Sequence, residues 1–239
     1  MTSYSSPNLI LAFDTETTGF FPNQDKNADI SILHANTLQN SYPFITQLCF
    51  VVLDTTTYTI VDEFNEYIKL PINAVFSEKA SEITGITRET CDKYGIDIEY
   101  ALMRFYQAYE SASMIVAHNI QFDISMIQLE LWRTRQIMAS CQTFMDMSKN
   151  VDFYFMFQHT NLSGKKIYCT MDMGKPVCNL PMKNKDGTIS KFKKSPKLTE
   201  LYNHLFHSIP ENLHDAKVDT LACLRSFVMM KFKVDYMNM

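Results

Sequence analysis

The alternation of apolar and polar positions opens with a strand. Leu9 to Phe13 is an apolar run that continues to Asp14 and is stopped by Gly19. From Asn23 to Tyr42 the chain is polar with little periodicity, which predicts a surface excursion. Ile45 to Asp54 is rich in β-formers, and Thr59 to Ile68 alternates well enough for another strand. Asp54-Thr-Thr-Thr-Tyr58 is the turn between them, so the first three strands predict an antiparallel meander. Helical spacing takes over after Pro71. Ser77 to Ile83 predicts a short helix ended by Gly85. Asp97 to Ser111 places Ile98, Leu102, Phe105 and Tyr109 on one face, with Asp97 and Glu99 at the end where the helix dipole favours acids. Met114 to Ala117 predicts a short strand, followed by a helix carrying Ile120, Ile124, Ile127 and Leu131. The aromatic stretch 146–163 has no period and predicts no element. Ile167 to Met171 predicts a strand and Leu198 to Phe206 a helix. Asp215 to about Lys231 predicts a longer helix with Val218, Leu221, Leu224 and Val228 inward. Strands first, then strand and helix in alternation, predict an α/β fold: a mixed sheet flanked by helices.

Composition narrows the class. The 239 residues are 46% hydrophobic and 20% charged, enough for a sizeable buried core. No apolar run approaches the roughly 18 residues of a membrane span, and the N-terminus carries no signal-peptide pattern. Six scattered cysteines without a Cys-x-x-Cys pair read as reduced thiols, so a cytoplasmic or otherwise intracellular protein is expected. The net charge of −4 is uneven. Met182 to Leu198 holds Lys183, Lys185, Lys191, Lys193, Lys194 and Lys197 against Asp186, a local charge of +5 that leaves −9 on the remainder. An acidic body with a basic strip suits a protein that gathers cations at its centre and phosphates at its rim. A solvated lysine-rich loop fits the strip equally well.

The candidate chemistry lies where acids meet apolar elements. Asp14 and Glu16 are two apart at the end of a strand, hence on one face. Like charges there repel and desolvate, while hard oxygen pairs are what Mg²⁺ requires. Asp123 sits one turn into the helix after Met114 to Ala117, and Asp219 sits in the first turns of the last long helix. His214 precedes that helix, on the loop ahead of it. Carboxylates from separate elements are what two metal ions about 4 Å apart need. A nearby imidazole can take a proton from water near neutral pH.

Asp-Thr-Glu-Thr-Thr-Gly, His-Asn-Ile-Gln-Phe-Asp and His-Asp-Ala-Lys-Val-Asp resemble the three motifs of the DEDDh, or DnaQ-like, 3′–5′ exonucleases. Ser81-Glu-Ile-Thr-Gly-Ile86 is similar to the segment between the first two motifs in three-prime repair exonucleases and proofreading domains. The resemblance spans Leu9 to about Phe232. It implies a ribonuclease-H-like fold with a five-stranded mixed sheet, in one exonuclease domain over 1–239 with insertions near 23–42, 146–163 and 172–196. It implies Asp14, Glu16, Asp123 and Asp219 as ligands of two Mg²⁺ ions, with Mn²⁺ as a substitute, and His214 as general base. Thr17, Phe20, Ile83, Asn119 and Phe122 would contact the terminal nucleotides. The implied activity is release of nucleoside monophosphates from 3′ ends of DNA, single-stranded or frayed. RNA trimming and a non-catalytic nucleic-acid-binding module are the alternatives; the intact acids and histidine argue against the second. Nucleic acid is the implied partner. A homodimer or a polymerase partner stays open, and no membrane is expected.

Overall fold

A computed structural model of the chain describes residues 8–22, 42–140, 165–184 and 186–238, with the backbone alone over 135–140. The excursion 23–41, the aromatic stretch 146–163 and Lys185 lie outside the described residues.

The three predicted opening strands form: β1 Leu9–Thr17, β2 Ile45–Asp54 and β3 Thr59–Tyr67. Two short helices follow, α1 Glu78–Thr84 and α2 Arg88–Tyr94, then α3 Ile98–Ser111. Next come β4 Met114–Ala117, α4 Ile120–Ser140, β5 Lys166–Cys169 and α5 Thr170–Cys178. A hairpin of β6 Pro181–Lys183 and β7 Ile189–Lys193 leads to α6 Leu198–Phe206 and α7 Ala216–Phe232. The main sheet runs β3-β2-β1-β4-β5. The β1–β2 and β2–β3 pairs are antiparallel, while β1–β4 and β4–β5 are parallel. The expected meander and mixed sheet are therefore present.

Alternation along β1 divides the core. Leu11 and Phe13 face α3 and α4, where Phe13 meets Phe105 edge-on at 5.0 Å and Ile124 and Ile127 close the layer. Ile10 and Ala12 face Leu224, Phe227 and Val228 of α7. Each large side chain buried in this way contributes about 1.5–3 kcal/mol. A buried ion pair joins α4 to the start of β2. Glu130 accepts the Ile45 N–H at 3.1 Å, Arg133 donates to the carbonyls of Pro43 and Tyr42, and its guanidinium lies 3.7 Å from the Phe44 ring centre.

Several expectations are corrected. β1 runs to Thr17 rather than Asp14, because pairing with β2 carries the ladder past the acids. Tyr42 ends the supposed surface excursion yet is buried, its ring 5.8 Å from Phe21. Helix α2 is too short to leave a periodic trace; Thr87 caps it by accepting the Thr90 N–H. The strand expected over Ile167 to Met171 stops at Cys169, and Thr170 opens α5. Gly174 and Pro176 disfavour a helix there, but tertiary packing overrides them. A side chain at Gly174 would begin 3.1 Å from Leu201 and Pro196, so α5 lies close enough to α6 that these neighbours would have to give by a few tenths of an ångström. No helix among the described residues is long and apolar enough to cross a membrane.

Candidate active site

Asp14 and Glu16 continue the face of β1 that looks toward α7, in register with Cys49 and Gln47 of β2. Helix α4 starts directly after β4, which is parallel to β1, so its first turn stands at the end of the sheet where β1 carries its acids. That turn brings in Asp123, which is buried and accepts the Thr15 N–H at 3.1 Å and the Thr15 hydroxyl at 2.8 Å. The first turn of α7 supplies Asp219. Its Oδ1 is buried without a hydrogen-bond partner among the described residues. Ligand atoms of Glu16, His214 and Asp219 all lie within 4.8 Å of one another.

His214 is exposed on the loop before α7 and has φ +68°. A non-glycine residue held there costs on the order of 1 kcal/mol, a strain that concentrates at functional sites. Asp215 caps α7 by accepting the N–H groups of Lys217 and Val218. That cap fixes the helix start between His214 and Asp219.

The acids raise one another's pKa. Burial, and then Asp123, Glu16 and Asp219, hold the Asp14 carboxyl well above the usual carboxylate range. Burial, then Asp219, Asp123 and Asp215, push Glu16 up to about 8. Burial lifts Asp123 to about 7 against the two Thr15 hydrogen bonds. It lifts Asp219 to about 6 against the His214 side chain and backbone N–H. Packed carboxylates of this kind are costly as a bare cluster. Hard oxygen donors around an unpartnered buried carboxylate oxygen fit divalent cations.

The expected substrate contacts are dispersed around this centre. The Thr17 hydroxyl is already engaged, donating to the Gly19 carbonyl at 2.6 Å. Phe20 is 70% exposed, its ring centre 6.3 Å from that of Phe122. Ile83 is exposed on α1, which is held beside the end of β1 by the Ser77 N–H donating to the Thr18 carbonyl. Asn119 is exposed in the turn between β4 and α4, with φ +65°.

Gln47 escapes the motif reading. It is buried on β2 opposite Glu16; its Nε2 donates to Asp215 Oδ2 at 3.3 Å and to Asn65 Oδ1 at 3.0 Å. Its Oε1 accepts the Ala216 N–H at 3.3 Å. This amide ties the start of α7 to the strand facing β1. The only signal was a glutamine within an apolar run. Gln47→Leu keeps the volume but takes the Gln47 donor from Asp215 Oδ2 and the acceptor from the Ala216 N–H, while Asp215 Oδ1 keeps its cap bonds, which should cost about 1–3 kcal/mol. The expected outcome is a kcat lower by roughly 10- to 100-fold with KM little changed, since α7 loses its alignment rather than a substrate contact. Steady-state kinetics beside a thermal melt checks both. His118, in the second motif, is half-buried and burial lowers it to about 4, so it is neutral. It lies 3.0 Å from the Thr170 hydroxyl and 3.2 Å from the Pro196 carbonyl, joining the end of β4 to α5 and to the loop before α6.

A five-stranded mixed sheet with acids at one end of its central strand, covered by α3 and α4 on one side and α7 on the other, is the ribonuclease-H-like architecture. Within that architecture the chain belongs to the exonuclease (RNase T) family, whose model matches residues 11–227. A comparison with curated proteins finds no match. Among solved structures, the chain is similar to exonuclease I of E. coli in complex with a dA16 oligonucleotide, at 17% identity and TM-score 0.58. The match covers 93% of this chain and 41% of that one. A moderately thermophilic exonuclease I from Methylocaldum szegediense matches at 17% identity and TM-score 0.59, over 95% of this chain and 42% of that one. A zinc-bound E. coli complex with single-stranded DNA matches at 14% identity and TM-score 0.60, over 98% and 43%. The chain thus spans less than half the length of these proteins.

Proposed function

We propose that this chain is a divalent-cation-dependent 3′–5′ exonuclease that releases nucleoside monophosphates from single-stranded or frayed DNA ends. The observation that carries the reading is the convergence of Asp14, Glu16, Asp123 and Asp219 from three elements, with His214 beside two of them. Asp14, Glu16, Asp123 and Asp219 would hold the divalent cations. When bound, Mg²⁺, or Mn²⁺ in its place, supplies the Lewis acidity that makes water nucleophilic and offsets charge on the leaving 3′ oxygen. His214 takes the proton of the attacking water at an imidazole nitrogen, its exposed loop position leaving the ring open to solvent. Phe20, Phe122 and Ile83 hold the terminal nucleotides through base faces, which needs no sequence readout. Thr17 and Asn119 border the same nucleotides. The oligonucleotide-bound exonuclease I structures favour DNA as the substrate.

The test uses end-labelled linear DNA, linear RNA of the same sequence and a covalently closed single-stranded DNA circle. With Mg²⁺, the linear DNA should shorten stepwise from its 3′ end and the circle should persist; with EDTA nothing should be cut. Cutting of the circle, or cleavage in EDTA, overturns the reading. Faster loss of the RNA moves the substrate to the RNA-trimming alternative.

A further inference from the structure

We infer that the β6–β7 hairpin is a second nucleic-acid contact, a grip on the strand lying 5′ of the terminus held at the acids. This rests on the exonuclease reading for the direction of the strand, but not for the binding itself.

Among the described residues, the lysine strip is folded into the β6–β7 hairpin and its root. Its turn is built from its own hydrogen bonds. The Thr188 hydroxyl and N–H both donate to Asp186 Oδ1, at 2.6 and 3.0 Å, and the Asn184 side chain donates to the Thr188 hydroxyl at 2.9 Å. Gly187 takes φ +85°, which a side chain would strain. The roots are fastened as well. The Lys194 N–H donates to the Leu180 carbonyl, and the Lys194 ammonium pairs with Glu200 at 2.5 Å. The buried Pro196 accepts from His118 at the end of β4, the turn that leads into the helix bearing Asp123. The hairpin base is therefore tied to the end of the sheet where the acids stand.

Its two faces differ. Pro181 pairs with Lys193 and Lys183 with Ile189, so Lys183, Lys191 and Lys193 share one face. Phe192 and Met182 share the other. Of these lysines none has an acidic partner among the described residues, whereas Lys194 is engaged. Phe192 is 64% exposed with the Lys191 ammonium 5.1 Å from its ring centre, and Ile189 is 72% exposed. A two-stranded hairpin is marginal in water, and exposed apolar residues at its surface weaken the case for a purely solubilising role. Lys191 and Lys193 are about 6.6 Å apart along the strand, comparable with successive phosphates of an extended chain. Lys191 reaches from its own face toward the Phe192 ring around the edge of β7, so a single strand lying along that edge would meet Lys191 and Lys193 with its phosphates and Phe192 with a base. The charge also complements the rest of the molecule, since the strip carries +5 and the remainder −9.

The experiment measures binding apart from cleavage. Fluorescence anisotropy of a 5′-labelled single strand of roughly 20 nucleotides, longer than a common site size, is recorded in EDTA over a range of salt. The wild-type chain is compared with the triple variant Lys183→Gln, Lys191→Gln, Lys193→Gln and with Phe192→Ala. The triple variant should bind more weakly and lose about 2 from the logarithmic salt slope, at roughly 0.7 per phosphate contact. Phe192→Ala should bind about tenfold more weakly with the slope kept, as expected for one lost base stack. Hydrolysis of a trinucleotide, which extends least beyond the acids, should be unchanged in both variants. Unchanged affinity and slope in the triple variant overturn the grip, whatever the trinucleotide result. A grip that is lost as expected in a chain without trinucleotide hydrolysis would leave the hairpin site standing and sink the catalytic reading instead.

Discussion

Replacing Asp14 with asparagine is expected to stop hydrolysis and, in the same protein, to raise the melting temperature of the metal-free chain. Both effects have one cause. Asp14 sits among Glu16, Asp123 and Asp219, and burial plus their charges hold its carboxyl far above its ordinary value. A carboxyl whose pKa is raised on folding keeps its proton in the native state at pH values where the unfolded chain has released it. Stability from such a group is fully present below the unfolded value, about 4, and is lost as pH rises through the folded one. With Glu16 at about 8, Asp123 at about 7 and Asp219 at about 6, the metal-free protein should lose stability steadily from about pH 4 to about pH 8. Asparagine at position 14 removes one like charge and should flatten that slope. A gain of about 1 kcal/mol corresponds to about 2–4 °C in a chain of this size. Cations bound to the acids take the place of the protons, so Mg²⁺ should restore the wild type at pH 8 and release protons as it binds. It should do much less for Asp14→Asn. The lost rate should be at least about 10³-fold, because the charge stabilisation at stake is several kcal/mol. Melting curves from pH 5 to pH 8, with EDTA and with Mg²⁺, decide the matter. A wild-type melting temperature that rises with pH in EDTA would contradict the electrostatic picture; a folded Asp14→Asn chain with near wild-type activity would contradict the catalytic one.

His214→Ala should lower kcat by about 10²–10⁴-fold, the usual contribution of a general base, while leaving Mg²⁺ binding close to wild type. The side chain stands on the loop before α7 within 4.8 Å of Glu16 and Asp219, so a role as a cation ligand is the alternative that the geometry permits. The two roles separate in titration calorimetry. If His214 is a base, its loss leaves the affinity of the four acids for Mg²⁺ unaltered and added cation does not recover the rate. A ligand weakens Mg²⁺ binding as much as Asp219→Asn does, and added cation then recovers part of the rate. Asp219→Asn is the suitable control because its Oδ1 has no protein partner to lose among the described residues. Removal of His214 should also relieve the left-handed backbone only if glycine replaces it. His214→Gly is therefore expected to be more stable than His214→Ala, by a fraction of the strain of about 1 kcal/mol.

The sequence by itself determined most of the elements and which of them carry the candidate acids and histidine. Hydrophobic period is local, so β2, β4 and α6 were legible to the residue, and Asp14, Glu16, Asp123, His214 and Asp219 could be assigned to their strand, helices and loop. Signals that are short or contrary were not legible: α2 spans only seven residues, and α5 contains Gly174 and Pro176, which predict a break. Only the tertiary structure decided how the acids meet. Thr15 and Asp123 are 108 positions apart yet share two hydrogen bonds, and Gln47 reaches Asp215 across 168 positions. The raised carboxyls follow from that meeting, because desolvation and repulsion are sums over neighbours brought in by β1, α4 and α7. The lysine strip was ambiguous for the same reason. Its charge is written in the sequence, but the division into a cationic face and a face with Phe192 depends on the register of β6 with β7, which pairing sets and composition does not.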